Sequence, residues 1–185
     1  MNLGKFIVIS GPSGVGKGTI CERLIKELNA WYSVSMTTRG IREGEVDGVN
    51  YYFVSKDEFK KRIEEGKLLE YNVYNDNYYG TPKDIVLEKL KEGINVFSEI
   101  DVNGARNIKR IYPDALLIYI APPSIDILKE RLVGRGTEDM ETIEKRLKIA
   151  EDELKMVDFY DYVVVNDDLE KAILKVKNII CDELD

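Results

Sequence analysis

The chain has 185 residues, 44% of them hydrophobic, and a formal net charge of −7. That length suits one core carrying small insertions, and the acidic balance argues against a nucleic-acid partner, so any phosphate ligand has to meet cations gathered locally. There is no histidine, which excludes Ser-His-Asp hydrolysis, histidine acid–base chemistry and histidine-ligated zinc, but not phosphoryl transfer to an acceptor already ionised. No apolar run approaches 18 residues and no charged-then-apolar segment opens the chain, so the expectation is a cytoplasmic protein with no membrane partner. Cys21 and Cys181 lack metal-ligand spacing and read as isolated reduced thiols.

In chain order, the apolar run Phe6-Ile7-Val8-Ile9 predicts a strand, and Ile20, Leu24, Ile25 and Leu28 share one face of a predicted helix. Between them stands Gly11-Pro12-Ser13-Gly14-Val15-Gly16-Lys17. Strand, glycine-rich loop and helix in that order wrap backbone N–H groups around a phosphate at the positive end of a helix, and Lys17 adds a point charge. Position 18 is Gly where the general motif carries a hydroxyl, and Thr19 comes one residue late. Mg²⁺ is therefore expected to be held mainly through phosphates and water, with Thr19 a candidate contact.

Residues 32–82 break the strand–helix rhythm. Polar-aromatic strands are predicted at 51–55, 69–74 and 77–80, around a helix opened by the capping box Ser55-x-x-Glu58 and ended by Gly66. Asn75-Asp76 supply turn chemistry, and Thr81-Pro82 are expected to open a helix that Gly93 closes. This segment reads as a small antiparallel-rich insert.

Beyond it, apolar runs at 94–97, 116–121 and 162–165 are each followed by helical patterns, at 102–111, at 124–133 with 138–157, and at 168–182. Such alternation predicts an α/β fold with a parallel sheet covered on both faces. Ser124 is an expected N-cap, and Pro113 stops the preceding helix. Gly134-Arg135-Gly136-Thr137-Glu138 reads either as a mobile loop closing on substrate or as an ordinary helix connection.

Several segments now stand together: GPSGVGKGT at 11–19, SVSMTTRGIREGEVDGVNYYFVS at 33–55, NYYGTP at 77–82, SEIDVNGA at 98–105, IAPPS at 120–124, RLVGRGTE at 131–138 and VVNDDL at 164–169. In this order they resemble the guanylate kinase family, over almost the whole chain. The resemblance implies a three-layer P-loop core with a parallel five-stranded sheet, a small mixed α+β GMP-binding insert and a helical lid. It implies one domain, with its core at 1–31, 83–123 and 158–185, its insert at about 32–82 and its lid at about 124–157. The implied reaction is ATP + GMP to ADP + GDP with Mg²⁺, and no obligate protein partner is evident.

Carried over residue by residue, the resemblance gives Gly11, Pro12, Ser13, Gly14, Val15, Gly16, Lys17, Gly18 and Thr19 to the ATP phosphates. It makes Lys17, Arg135 and Arg146 catalytic cations with Arg131 in support, the other reading of Arg131 being a surface ion pair with Asp126 or Glu130. Arg39, Arg42, Tyr51 and Tyr79 match a clamp on the GMP phosphate, where arginine forks and phenols donate, although Tyr51 could equally pack in its strand. Ser35, Glu70 and Thr81 match a guanine-reading set. Guanine offers N1–H and an amino group to a carboxylate, whereas adenine would turn a lone pair towards it. Alternatives stay open: a solvated strand-edge acid for Glu70, an N-cap for Thr81.

Asp101 matches a residue organising the acceptor and the metal's water. Glu99 is a further metal-side candidate or a plain strand-end charge. Asn103 stands where the family usually has Gln. Asn166 and Asp167 match an adenine-contacting loop, or simply form a turn. No residue here reads a 2′-hydroxyl, so dGMP joins GMP as a candidate substrate. Two rival readings are a monophosphate kinase for another base and a non-catalytic guanylate-kinase-like binding module.

Overall fold

Phe6 to Ile9 head strand β1 (Phe6–Ser10), all five residues of which are buried. The computed structural model describes residues 3–74, 76–136 and 139–184. After β1 come α1 (Lys17–Glu27), β2 (Trp31–Tyr32), β3 (Met36–Thr37), β4 (Tyr52–Phe53), α2 (Lys56–Glu64), β5 (Leu68–Tyr74) and β6 (Asn77–Pro82). They are followed by α3 (Lys83–Lys91), β7 (Val96–Glu99), α4 (Val102–Ile111), β8 (Leu116–Ala121), α5 (Ile125–Arg135), α6 (Met140–Leu154), a 3₁₀ turn (Val157–Phe159), β9 (Tyr162–Val165) and α7 (Leu169–Asp182).

The fold is α/β, with a five-stranded parallel sheet in the order β2-β7-β1-β8-β9. Continuous apolar runs make β1 and β8 fully buried, as strands covered on both faces require. β9 departs from that expectation: Val163 and Val165 are 42% and 50% exposed, because β9 ends the sheet. β2 has only two residues and no apolar run of its own, so its pairing with Val96 and Phe97 was not legible in the sequence.

A second sheet, in the order β4-β3-β6-β5, is built from the inserted segment. It is mixed: β3 runs parallel to β4 and antiparallel to β6, and β5 pairs antiparallel with β6. The capping box forms as expected, with Ser55 Oγ accepting from the Glu58 amide at 3.1 Å. Gly66 follows α2 in the left-handed region. Of the expected turn, Asn75 lies outside the described residues, and Asp76 has φ of 61°.

Two boundaries move. Thr81 and Pro82 belong to β6 rather than to the following helix; Pro82 is the N-cap of α3 and no side chain caps it. The sheet ladder with β5 claims both residues, which overrides the Pro-at-first-position signal. Likewise Gly134 and Arg135 form the last turn of α5, and only Gly136 leaves it, as a left-handed C-cap. Thr137 and Glu138 of the expected loop lie outside the described residues.

The chain divides into two compact units, the first comprising Met1–Ile7, Ala30–Ser98 and Asn103–Ala115. There Phe59 of α2 is fully buried against the rings of Tyr78 and Tyr71, at 5.2 and 6.5 Å between centroids. The second unit comprises Val8–Asn29, Glu99–Val102 and Leu116–Asp185. In it Leu128 and Leu132 of α5 meet Ile143, Leu147 and Ala150 of α6. At about 1.5–3 kcal/mol for each large apolar side chain, that seam is what holds the helical pair. Among the described residues no helix is long and apolar enough to cross a membrane.

Candidate active site

The phosphate loop joins β1 to α1, and its backbone demands glycine. A side chain at Gly11 would meet the Ile120 carbonyl oxygen at 2.2 Å, and Gly16 has φ of 97° with Asn166 Nδ2 at 2.7 Å. Gly16 caps α1 with no side-chain bond, and no acidic residue lies in the helix's first turn. The amides at this end are thus left to an anion, with the helix dipole favouring it.

Lys17 folds back over the loop, donating to the carbonyls of Gly11 and Pro12 at 2.8 and 3.1 Å and lying 3.8 Å from the Glu99 carboxylate. Burial lowers its pKa from the ordinary amine value; the charges of Glu99 and Glu153 and the Cys21 thiol oppose that, and Arg135 adds to it. The Arg135 charge therefore acts on the loop lysine. Arg146, from α6, donates from Nη1 to Ser13 Oγ. Two of the three expected lid arginines thus bear on the loop, one through charge and one through a bond.

Arg131 does something else. Its Nη2 donates to the carbonyls of Asn166 and Asp167, at 3.0 and 3.4 Å. Asn166 is buried and its Nδ2 donates to the Val15 carbonyl at 2.7 Å, while among the described residues its Oδ1 has no hydrogen-bond partner. The segment after β9 is thereby tied to the phosphate loop. Asp167 is exposed, as are Thr19 and Asp101.

In the first unit, β5 and β6 bring Glu70 opposite Thr81, beyond a register shift between Leu68 and Glu70. Glu70 is 7% exposed and Thr81 fully buried, and Thr81 Oγ1 donates to Glu70 Oε1 at 2.7 Å. The structure thus overturns both bland readings, since Glu70 is no solvated edge acid and Thr81 caps no helix. A buried carboxylate needs such bonds, each to a charged group being worth about 1.5–3 kcal/mol. Met36 of β3 pairs with Gly80, so Ser35, one residue earlier, falls opposite Thr81 in the antiparallel register. A carboxylate and two hydroxyls form one cross-strand row.

Alongside stands a cationic aromatic cluster. The Arg39 guanidinium lies over the rings of Tyr51 and Phe53, at 5.5 and 5.6 Å, and Tyr51 meets Tyr79 edge to face at 6.0 Å. Glu45, a residue the sequence reading passed over, raises the Arg39 pKa most, with Tyr79 contributing. Arg42 gives its backbone amide to the same Glu45, and its side chain is exposed.

Glu153 was also missed. It sits on α6, seven residues after Arg146, and its carboxyl pKa is pushed up to about 7 by burial first, with Lys17 pulling it down and Asp101 pushing it up. Among the described residues its Oε2 has no hydrogen-bond partner. In the sequence it is one of many acids on an amphipathic helix. Only its i, i+7 relation to Arg146 marks a shared face.

The family model described as guanylate kinase matches residues 3–183. A guanylate kinase of Listeria innocua is 51% identical over 179 residues, covering 96% of this chain and 87% of the relative. One of Oceanobacillus iheyensis is 51% identical over 181 residues, covering 97% and 88%. The chain belongs to the guanylate kinase family. A crystal structure of the guanylate kinase from Anaplasma phagocytophilum matches with a TM-score of 0.81 at 32% identity, covering 99% of this chain and 87% of that one. The guanylate kinase function, that of an ATP:GMP phosphotransferase, goes with the family.

Proposed function

We propose that this chain moves the γ-phosphoryl group of ATP in line onto the phosphate of GMP, with the guanine edge read by Glu70, Thr81 and Ser35. The observation that carries the reading is the buried Glu70–Thr81 bond: a carboxylate held ready in a dry strand row complements the N1–H and amino donors of guanine. Arg39, Tyr51 and Tyr79 hold the GMP phosphate, with Arg42 beside them. The residues from Gly11 to Thr19 hold the ATP phosphates, and Asn166 and Asp167 border the adenine.

In the transfer, a GMP phosphate oxygen forms the new bond to the γ-phosphorus while the bond to the β,γ-bridging oxygen breaks, and ADP leaves with that electron pair. No proton has to move first, because the acceptor is already an anion, so a histidine-free site suffices. Lys17, Arg135 and Arg146 face the charge on the transferring group, while Arg131 fixes the loop that Asn166 buttresses. On this reading the core is 1–31, 83–123 and 158–185, the GMP-binding insert about 32–82 and the lid about 124–157.

Mg²⁺ fits the donors present. A side chain at position 18 would meet Glu99 Oε2 at 3.7 Å, so a hard oxygen donor stands where the motif's hydroxyl is missing. Among the described residues no three acidic side chains cluster as a metal site, so the ion would be held mainly through the ATP phosphates and water, with Glu99, Asp101 and Thr19 as candidate contacts; when bound it would screen the charge of the ATP phosphates. The workplace is the cytoplasm and the partners are ATP and GMP, with dGMP a candidate second acceptor.

GDP formation from ATP and GMP tests this reading. Turnover is expected with Mg²⁺ and its loss with excess chelator; binding of GMP without any GDP would make the chain a binding module instead.

A further inference from the structure

The Arg39 guanidinium is already engaged along one edge. Nη1 donates to Glu45 Oε2 at 2.9 Å and to the Gly40 carbonyl at 2.7 Å, and Nη2 donates to Glu45 Oε1 at 2.7 Å. Those three bonds use both Nη1 hydrogens and one of the two on Nη2. Nε–H and the second Nη2 hydrogen form the adjoining edge, a side-on fork of the kind that suits a phosphate, with Tyr79 beside the same side chain.

Glu45 is itself fixed from two directions. Its Oε2 also accepts from the Arg42 amide at 2.8 Å, so one carboxylate ties the side chain of one clamp arginine to the backbone of the other. The side chains of Arg39 and Glu45 are only 14% and 19% exposed, which limits screening by water. The Arg39 bond first, and the Arg42 amide next, hold the Glu45 pKa at about 2. The pair therefore stays charged at any pH where the enzyme would work.

We propose that Glu45 is a positioning residue for the acceptor: it occupies one edge of Arg39 so that the adjoining edge is held as a fork for the GMP phosphate. This rests on the reading above that Arg39 holds that phosphate. The reverse role, a carboxylate that competes with GMP for Arg39, would need Glu45 to leave on binding, and its bond to the Arg42 amide opposes that.

Steady-state kinetics on the intact protein decide it, with GMP and ATP varied separately for Glu45→Gln, Arg39→Ala and the double variant. Glu45→Gln is expected to raise the KM for GMP about tenfold and to leave the KM for ATP within about twofold. The double variant should be no worse than Arg39→Ala alone, because Glu45 acts through Arg39. Glu45→Asp, which keeps the charge, should recover part of the loss. An unchanged or lower KM for GMP in Glu45→Gln overturns the proposal, the lower value pointing to competition. Equal losses towards GMP and ATP would also overturn it, since they mark a merely structural role. If Arg39→Ala leaves the KM for GMP intact, the acceptor reading fails as well; if it raises that KM and Glu45→Gln does not, only the positioning role fails.

Discussion

Arg146→Ala is expected to lower kcat by about 10³-fold with a much smaller change in the KM for ATP. Arg146 of α6 bonds to Ser13 in the phosphate loop, so on the proposed reading its charge would stand beside the ATP phosphates. Its weight falls on the transition state, where negative charge spreads over the oxygens of the moving group. A lysine in its place should restore little, because a compact ammonium lacks the planar fork. Steady-state kinetics at saturating ATP and GMP check this, and a kcat within threefold of the parent would remove Arg146 from catalysis.

Glu70→Gln is expected to reduce the preference for GMP over AMP, measured as the ratio of kcat/KM values, by about 10³-fold or more. Glu70 is buried and its Oε1 already accepts from Thr81. A glutamine keeps that acceptor, so the sheet should survive. What it loses is the second acceptor and the charge, leaving an N–H group facing the donors of guanine. An unchanged ratio, with the variant folded, would mean that position 70 does not read the base.

How far these sites could be read from sequence depends on whether their signal is local. The phosphate loop is legible because strand, glycines, lysine and helix lie within one short stretch, where Gly11 is needed by the close Ile120 carbonyl and Gly16 by its left-handed φ and the nearby Asn166 side chain. The Glu70–Thr81–Ser35 row is not local: it exists only once three strands pair, and residue by residue it was reachable through family resemblance alone. Thr81-Pro82 misled for the same reason, since a good helix-start signal lost to a sheet ladder. Strand β2 was invisible because two residues cannot display a period.

Charge was the other blind spot. Glu45 and Glu153 sit among many exposed acids of an acidic chain, and only the folded contacts single them out: the Arg39 fork for one, burial near Lys17 for the other. Arg131 resembled the other expected lid arginines in sequence, yet it donates to backbone carbonyls of the segment after β9. A guanidinium's role depends on what lies opposite it, which sequence spacing does not record.

Parallel ATP-coupled turnover with GMP, AMP, CMP, UMP and TMP on the unaltered protein probes the selecting row most directly. GMP should lead every other nucleotide by several orders of magnitude in kcat/KM, about 10⁴ over AMP if the carboxylate rejects an adenine lone pair as argued. Comparable rates with AMP, or with any pyrimidine, would contradict it.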